Sequence, residues 1–201
     1  DLDTLNISIK DLEKKITKKT KAIMCVHILG LPTDMTKIQS ICKKRKLILF
    51  EDTCESLGTT YNKKHLGTFG DYGMYSFYYS HQITSGEGGM VVCGSEKNYN
   101  ILKSLRSHGW SRDTKFHKDI VKKYKNLDEN FLFINSGFNL RPTDIQAAIG
   151  NNQLKRLDKF INIRNENRKK IINCLKKSPK WNSQFNFIMP NKNISPSWFG
   201  L

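Results

Sequence analysis

The 201-residue sequence predicts an α/β fold, a mostly parallel sheet flanked by helices. Two observations carry this: strand-like and helix-like segments alternate through the first half, and residues 21–52 read as one strand–helix–strand unit. With 38% apolar residues, the chain is long enough to bury a sizeable core.

KAIMCVHI at 21–28 is a buried-strand candidate, and Gly30 and Pro32 punctuate the turn after it. Thr33 or Asp34 can cap a helix to about Lys46, with Met35, Ile38, Ile41 and Cys42 on one face. LILFED at 47–52 is the next strand, and ligands gather at the carboxyl ends of such strands. MYSFYYS at 74–80 and GMVVCG at 89–94 are two more, separated by a Gly-rich turn. Ser95 and Glu96 start a helix to about Ser107, and residues 108–136 are polar and irregular, long enough for a functional or interface loop. Pro142 opens a long helix whose apolar stripe is Ile145, Ala148, Ile149, Leu154, Leu157 and Ile161, with Gly150 allowing a kink or tight packing. Pro179, Pro190 and Pro196 mark the approach to a smaller domain. The opening DLDTLNISIK, read as a strand exit without an initiating Met or the order of a signal peptide, and the abrupt SPSWFGL predict a fragment of a longer chain.

No window approaches eighteen consecutive apolar residues, so no membrane helix is expected. Thirty-four Lys and Arg against eighteen Asp and Glu give a formal charge of +16. Either a nucleic-acid surface or an affinity for phosphorylated small molecules could follow from it. The basic residues lie in short, scattered pairs without aromatic interleaving, so we read them as a solvated surface and expect no nucleic-acid partner. Cysteines 25, 42, 54, 93 and 174 show no CxxC or metal spacing and read as reduced thiols, mostly in the core, of a cytoplasmic protein.

Asp52 closes a strand and admits two roles, capping the following turn or stabilising a protonated heterocyclic nitrogen. Glu55 can lie on the same side, and Ser76 and Ser80 flank an aromatic strand where hydroxyls can hold a phosphate oxygen. His81 follows, then Gly86, Gly88 and Gly89, which permit close backbone approach to a ligand. A histidine beside such a turn is either a hydrogen-bonded structural residue or, with an unperturbed pKa of about 6.5, a proton carrier near neutral pH.

The run FEDTCESLGTTYNKKHLGTFGDYGMYSFYYSHQITSGEGGMVV at 50–92, with HILGLPTDM before it and RSHGW, GFNLRPTDIQAAIGNNQLKRLDKF and PSWFG after it, resembles the DegT-type family of pyridoxal-phosphate-dependent sugar aminotransferases and dehydratases. Its specificity lies in several motifs occurring in order over nearly the whole chain. The resemblance implies a fold type I aminotransferase-like large domain over 1–175, its N-terminal portion missing, a small C-terminal domain beginning at 176–201, and a homodimer. It implies that Asp52 pairs with the pyridine nitrogen, that Ser76 contacts the cofactor phosphate, and that Asn139 and Arg141 reach the phosphate in the neighbouring subunit. Glu55 matches a cofactor-side position that is commonly Gln in the aminotransferases.

Those aminotransferases place at position 81 a lysine that bonds covalently to the cofactor, whereas the family's sugar 3-dehydratases carry histidine. An imidazole makes no stable imine, so pyridoxal or pyridoxamine phosphate would be held non-covalently. The implied activity is removal of the 3-hydroxyl from a nucleotide-linked 4-keto-6-deoxy sugar, with His81 as proton carrier and glutamate as amino donor, in deoxysugar or O-antigen biosynthesis. Only Cys93 and Cys174 follow His81, too few for the branch that uses an iron–sulfur cluster. The alternatives are an aminotransferase, for which no lysine lies between 65 and 96, and a non-catalytic basic scaffold.

Overall fold

In a computed structural model, residues 1–181 and 186–200 are described, and they divide into two compact units, 1–92 with 145–201 and 93–144. The first unit holds the predicted strand–helix–strand. Strand β1 (Ala22–Val26) and β2 (Ile48–Asp52) pair in parallel, Ala22 opposite Ile48 through Val26 opposite Asp52. Between them runs α2 (Met35–Arg45), preceded in the chain by α1 (Ile9–Lys15). Asp34 rather than Thr33 caps α2, its side chain accepting the Lys37 N–H at 3.1 Å, while the Thr33 N–H goes to His27. Lys46 ends the helix in the left-handed region.

The core forms where these elements face each other. Ile23 and Cys25 of β1, Leu49 of β2, and Met35, Ile38 and Cys42 of α2 are buried together with Leu66, and Ile9, Leu12 and Ile16 of the α1 region pack on them. Each fully buried Ile, Leu or Met contributes about 1.5–3 kcal/mol, so this face outweighs any local propensity. β1 is buried on this face alone, with Met24 and Val26 exposed on the other, which corrects the expectation of a strand buried throughout.

β5 (Tyr72–Ser76) pairs in parallel with β2, and β6 (Gly89–Cys93) completes a four-stranded sheet in the order β1, β2, β5, β6. A small sheet joins the hairpin of β3 (Thr60–Tyr61) and β4 (Lys64–His65) to β7 (Ile194–Ser195). Thr59 fastens the same region: its hydroxyl donates to the Gly30 carbonyl and accepts the Ser197 N–H, each at 2.8 Å. Gly73 leaves no room for a side chain, because a Cβ would lie 2.0 Å from the Gly67 carbonyl oxygen. We expect Gly73→Ala to cost about 1–3 kcal/mol, read by denaturant unfolding of the full-length protein.

Several expectations change. The opening segment is no strand exit: residues 1–6 turn and Ser8 caps α1. β5 stops at Ser76, because the chain turns over 78–81 and the His81 N–H returns to the Tyr78 carbonyl; Ser80 therefore lies outside the strand. The long C-terminal helix is two helices, α5 (Asp144–Leu154) and α6 (Leu157–Lys177). They separate at 155–156, where the Arg156 N–H bonds the Gln153 carbonyl three residues back and breaks the four-residue ladder; Gly150 is uninvolved. Ile145, Ile149 and Leu154 of the predicted stripe are exposed. Of the cysteines, only Cys25 and Cys42 are buried.

The second unit contains α3 (Glu96–Leu105), capped by Ser95, and α4 (His117–Lys123) inside the stretch expected to be irregular. Among the described residues, no helix is long and apolar enough to cross a membrane.

Candidate active site

Asp52 and Ser76 end adjacent parallel strands. Asp52 stands opposite Met74, so Ser76, two residues on, shares the Asp52 face of the sheet at its carboxyl edge. Asp52 Oδ1 accepts the Cys54 N–H at 3.1 Å, a turn-capping bond. The capping role weighed for Asp52 is thus real and sits at the strand end where a ligand would meet it. Burial first, then the hydrogen bond and charge of Asp52, push the Cys54 thiol up to about 12, so it is no nucleophile at neutral pH.

The turn after Asp52 holds the histidine. His81 Nδ1 lies 2.6 Å from the Cys54 carbonyl oxygen. A carbonyl only accepts, so Nδ1 carries the proton and Nε2 is the lone-pair nitrogen. The next residue repeats the tie, since Gln82 Nε2 donates to the Glu55 carbonyl. Two consecutive side chains thereby clamp two consecutive carbonyls and bring 81–82 to the end of β2. The Glu55 carboxylate points elsewhere, accepting the Leu29 N–H at 2.8 Å. Phe199 lies beside the His81 ring, centroids 5.3 Å apart.

Behind Asp52, Glu51 is fully buried. Its carboxylate takes the Gly67, Phe69 and Gly70 N–H groups at 2.6–2.8 Å and His27 Nε2 at 3.2 Å. His27 Nδ1 accepts the Thr33 N–H, so Nε2 is the protonated nitrogen that donates. Burial would raise the Glu51 carboxyl, but the His27 bond and the backbone N–H donors outweigh it and hold the group below its ordinary value. Glu51 is structural, a fixed anion that orders the 67–70 turn.

Asn139 and Arg141 lie in the second unit. Asn139 bridges to Ser107, and the Arg141 guanidinium sits 5.7 Å from the centre of the Trp110 ring. Arg112 also faces that ring, at 4.5 Å.

A cavity of about 280 Å³ opens beside the clamp, lined by His81, Gln82, Thr84, Gln153, Phe160 and Arg164. A larger one, about 640 Å³, lies between the chain start and α2, lined by residues such as Asn6, Lys10 and Lys37; it has no histidine or cysteine, and the chemistry stays with the smaller. Gln82, Arg164 and the Glu51–His27 pair went unseen in the sequence. Only the pair had a signal, in an acidic doublet and a histidine ending successive strands.

The family model of the DegT/DnrJ/EryC1/StrS aminotransferase family matches residues 1–196. The chain belongs to this family. Among its relatives, GDP-4-keto-6-deoxy-D-mannose 3-dehydratase of Escherichia coli O55:H7 is 40% identical over all of this chain and 51% of its own length. The solved structure of the E. coli GDP-4-keto-6-deoxy-D-mannose-3-dehydratase with bound hydrated PLP superimposes with a TM-score of 0.86 at 38% identity, over 100% of this chain and 50% of that one. A structure of GDP-4-keto-6-deoxymannose-3-dehydratase with a trapped PLP-glutamate geminal diamine gives 0.84 at 37%, over 100% and 51%. The fold is the PLP-dependent aminotransferase-like α/β fold expected from the family motifs, and the chain spans about half the length of these DegT-family relatives.

Proposed function

We propose that the full-length protein is a cytoplasmic, homodimeric nucleotide-sugar 3-dehydratase that uses pyridoxamine phosphate, without an iron–sulfur cluster, in deoxysugar and O-antigen biosynthesis. The observation that carries this is His81, fixed through Nδ1 with Nε2 as its basic nitrogen, at a position where no lysine between 65 and 96 can bind the cofactor covalently. In support, similar proteins of the family bear the dehydratase name and bind PLP.

The residues present fit the cofactor. Asp52 offers a carboxylate for a pyridinium N–H, Ser76 a hydroxyl for a phosphate oxygen, and the two share one face of the sheet edge. Glu55 belongs to the cofactor side through its backbone, which Gln82 clamps. Asn139 and Arg141 serve the phosphate of the neighbouring subunit. Residues 1–175 form part of the cofactor domain, and 176–201 begin the small domain.

When bound, the cofactor supplies the electron sink that lets a hydroxyl depart from the carbon next to a ketone. His81 Nε2 would accept the proton given up by the amine-bearing carbon of the cofactor and deliver it to the 3-hydroxyl oxygen, which would leave as water. The Cys54 carbonyl holds the required tautomer, because it accepts Nδ1–H before and after transfer. Glutamate restores the amine.

The deciding experiment incubates the full-length protein with GDP- and CDP-linked 4-keto-6-deoxy sugars and glutamate and follows the sugar by mass. Net loss of one oxygen atom from the sugar is expected, because the 3-hydroxyl leaves as water and hydrogen takes its place, with glutamate as the source of the electrons. Exchange of the keto group for an amine without loss of water would overturn the dehydratase reading in favour of an aminotransferase.

A further inference from the structure

The PSWFG run at 196–200 carries the ring that meets the histidine. Phe199 and His81 lie 5.3 Å apart between ring centres, tilted by 36°, and Tyr78 approaches the same imidazole edge-on at 6.1 Å and 69°. Both separations fall within the range of about 4.5–7 Å at which aromatic rings attract. The third contact is the 2.6 Å bond between Nδ1 and the Cys54 carbonyl. One hydrogen bond fixes the tautomer and one edge of an imidazole but leaves the ring free to rock about the N–H···O axis. A packed ring removes that freedom.

The segment that delivers Phe199 is tied at each residue. Ser197 donates its N–H to the Thr59 hydroxyl at 2.8 Å. Trp198, 6% exposed, lies under the Arg168 guanidinium at 3.6 Å, and its carbonyl accepts from Arg164 at 3.2 Å. Phe199 donates its own N–H to the Leu29 carbonyl at 3.2 Å. Leu29 is held in turn: it stands at φ 55°, in the left-handed region, and its N–H goes to the Glu55 carboxylate at 2.8 Å. Gly30 beside it passes so close to the segment that a Cβ would lie 2.2 Å from the Ser197 carbonyl oxygen. Cys54 and Glu55 are neighbours, so one turn grips His81 directly through the Cys54 carbonyl and, by way of Leu29, anchors the ring that packs on it. A side chain locked by its surroundings in this way can lock another.

We propose that Phe199 is a positioning residue for His81, holding the imidazole in the orientation set by the Cys54 carbonyl and keeping water from the part of the ring it covers, so that Nε2 keeps one direction. This rests on the dehydratase reading for the proton that Nε2 moves, and on the packing alone for the geometry.

The test follows exchange of the imidazole C2 hydrogen for deuterium, residue by residue by mass spectrometry, in the full-length, cofactor-loaded protein. In Phe199→Leu, which keeps the backbone bonds and loses the ring, His81 is expected to exchange at least about threefold faster, while His27, 0% exposed, keeps its parental rate. Phe199→Tyr restores the ring and should restore the rate. In turnover, Phe199→Leu should lower kcat about 10–100-fold with KM within about twofold of the parent, and should cost nothing further in a His81→Asn background. Near-ultraviolet circular dichroism checks each fold, and Phe199→Met takes the place of the leucine variant where that one does not fold. An unchanged His81 exchange rate in a folded variant overturns the proposal. So does equal acceleration at His27, a tyrosine variant that behaves like the leucine one, or a kcat loss of the same size without His81. Exchange needs no sugar, so a failed deoxygenation assay would sink the dehydratase reading and leave the exchange result standing.

Discussion

Asparagine in place of His81 is expected to slow dehydration by about 10²–10⁴-fold, the usual contribution of a positioned acid–base group, while the fold and cofactor content stay intact. The reasoning is geometric. An asparagine amide can still donate to the Cys54 carbonyl as His81 Nδ1 does at 2.6 Å, so the clamp survives. What disappears is Nε2, the nitrogen that moves the proton. Sugar turnover by mass gives the rate, and a folded His81→Asn variant with parental turnover would remove the histidine from the mechanism. His81→Lys adds a second reading. A primary amine at this position should form a borohydride-trappable adduct with pyridoxal phosphate, which the parent should not, and dehydration should be lost with it.

Glu51 carries the largest stability effect. Glu51→Ala in the full-length protein is expected to destabilise it by about 3–5 kcal/mol, because a buried carboxylate with four donors is removed and those donors, among them the Gly67, Phe69 and Gly70 N–H groups, are left in the interior. Denaturant unfolding measures the loss, and Asp52→Asn on the same strand is the control. A cost for Glu51→Ala no larger than the control's would show that the anion does not order the turn. The pH dependence has a definite sign. The folded-state pKa of Glu51 lies below the ordinary glutamate value, so the unfolded chain takes up the proton first as the solution acidifies. The stabilisation is complete above about pH 4.5 and drains away as pH falls through the lower, folded value. In Glu51→Ala that part of the acid sensitivity should vanish.

The strand–helix–strand unit was legible because its signals are local and repeated: apolar spacing over Met35, Ile38 and Cys42, an Asp34 cap, and strand-length apolar runs on either side. Seven-residue α1 and α4 lack enough turns to show a period; α1 is fixed by its Ser8 cap and its packing on the core, while α4 has no side-chain cap and is tied at its start by the His117–Ser111 bond. Phe77, Tyr78 and Tyr79 have the composition of a strand, yet the backbone turns there, since bonds between 77 and 88 decide the end of β5. In the site, the place of Asp52 could be read because the end of β2 is legible, whereas Ser76 was expected inside a longer strand and stands at the end of β5 only because the backbone turns after it. The partner that fixes the His81 tautomer could not, being a backbone carbonyl that any residue at position 54 would supply. Arg164 and Gln82 belong to segments 82 residues apart in sequence, and their shared cavity has no trace in either segment.

Thr59 joins Gly30, 29 residues before it, to Ser197, 138 residues after it, through one hydroxyl. Such a contact cannot exist on the ribosome until residue 197 has left the exit tunnel, although β1, α2 and β2 are complete by residue 52. Phe199, which sits beside the His81 ring, arrives with the same late segment. A nascent chain can therefore assemble its core early and still have an unfinished histidine environment, which makes the maturation of this region late and non-local.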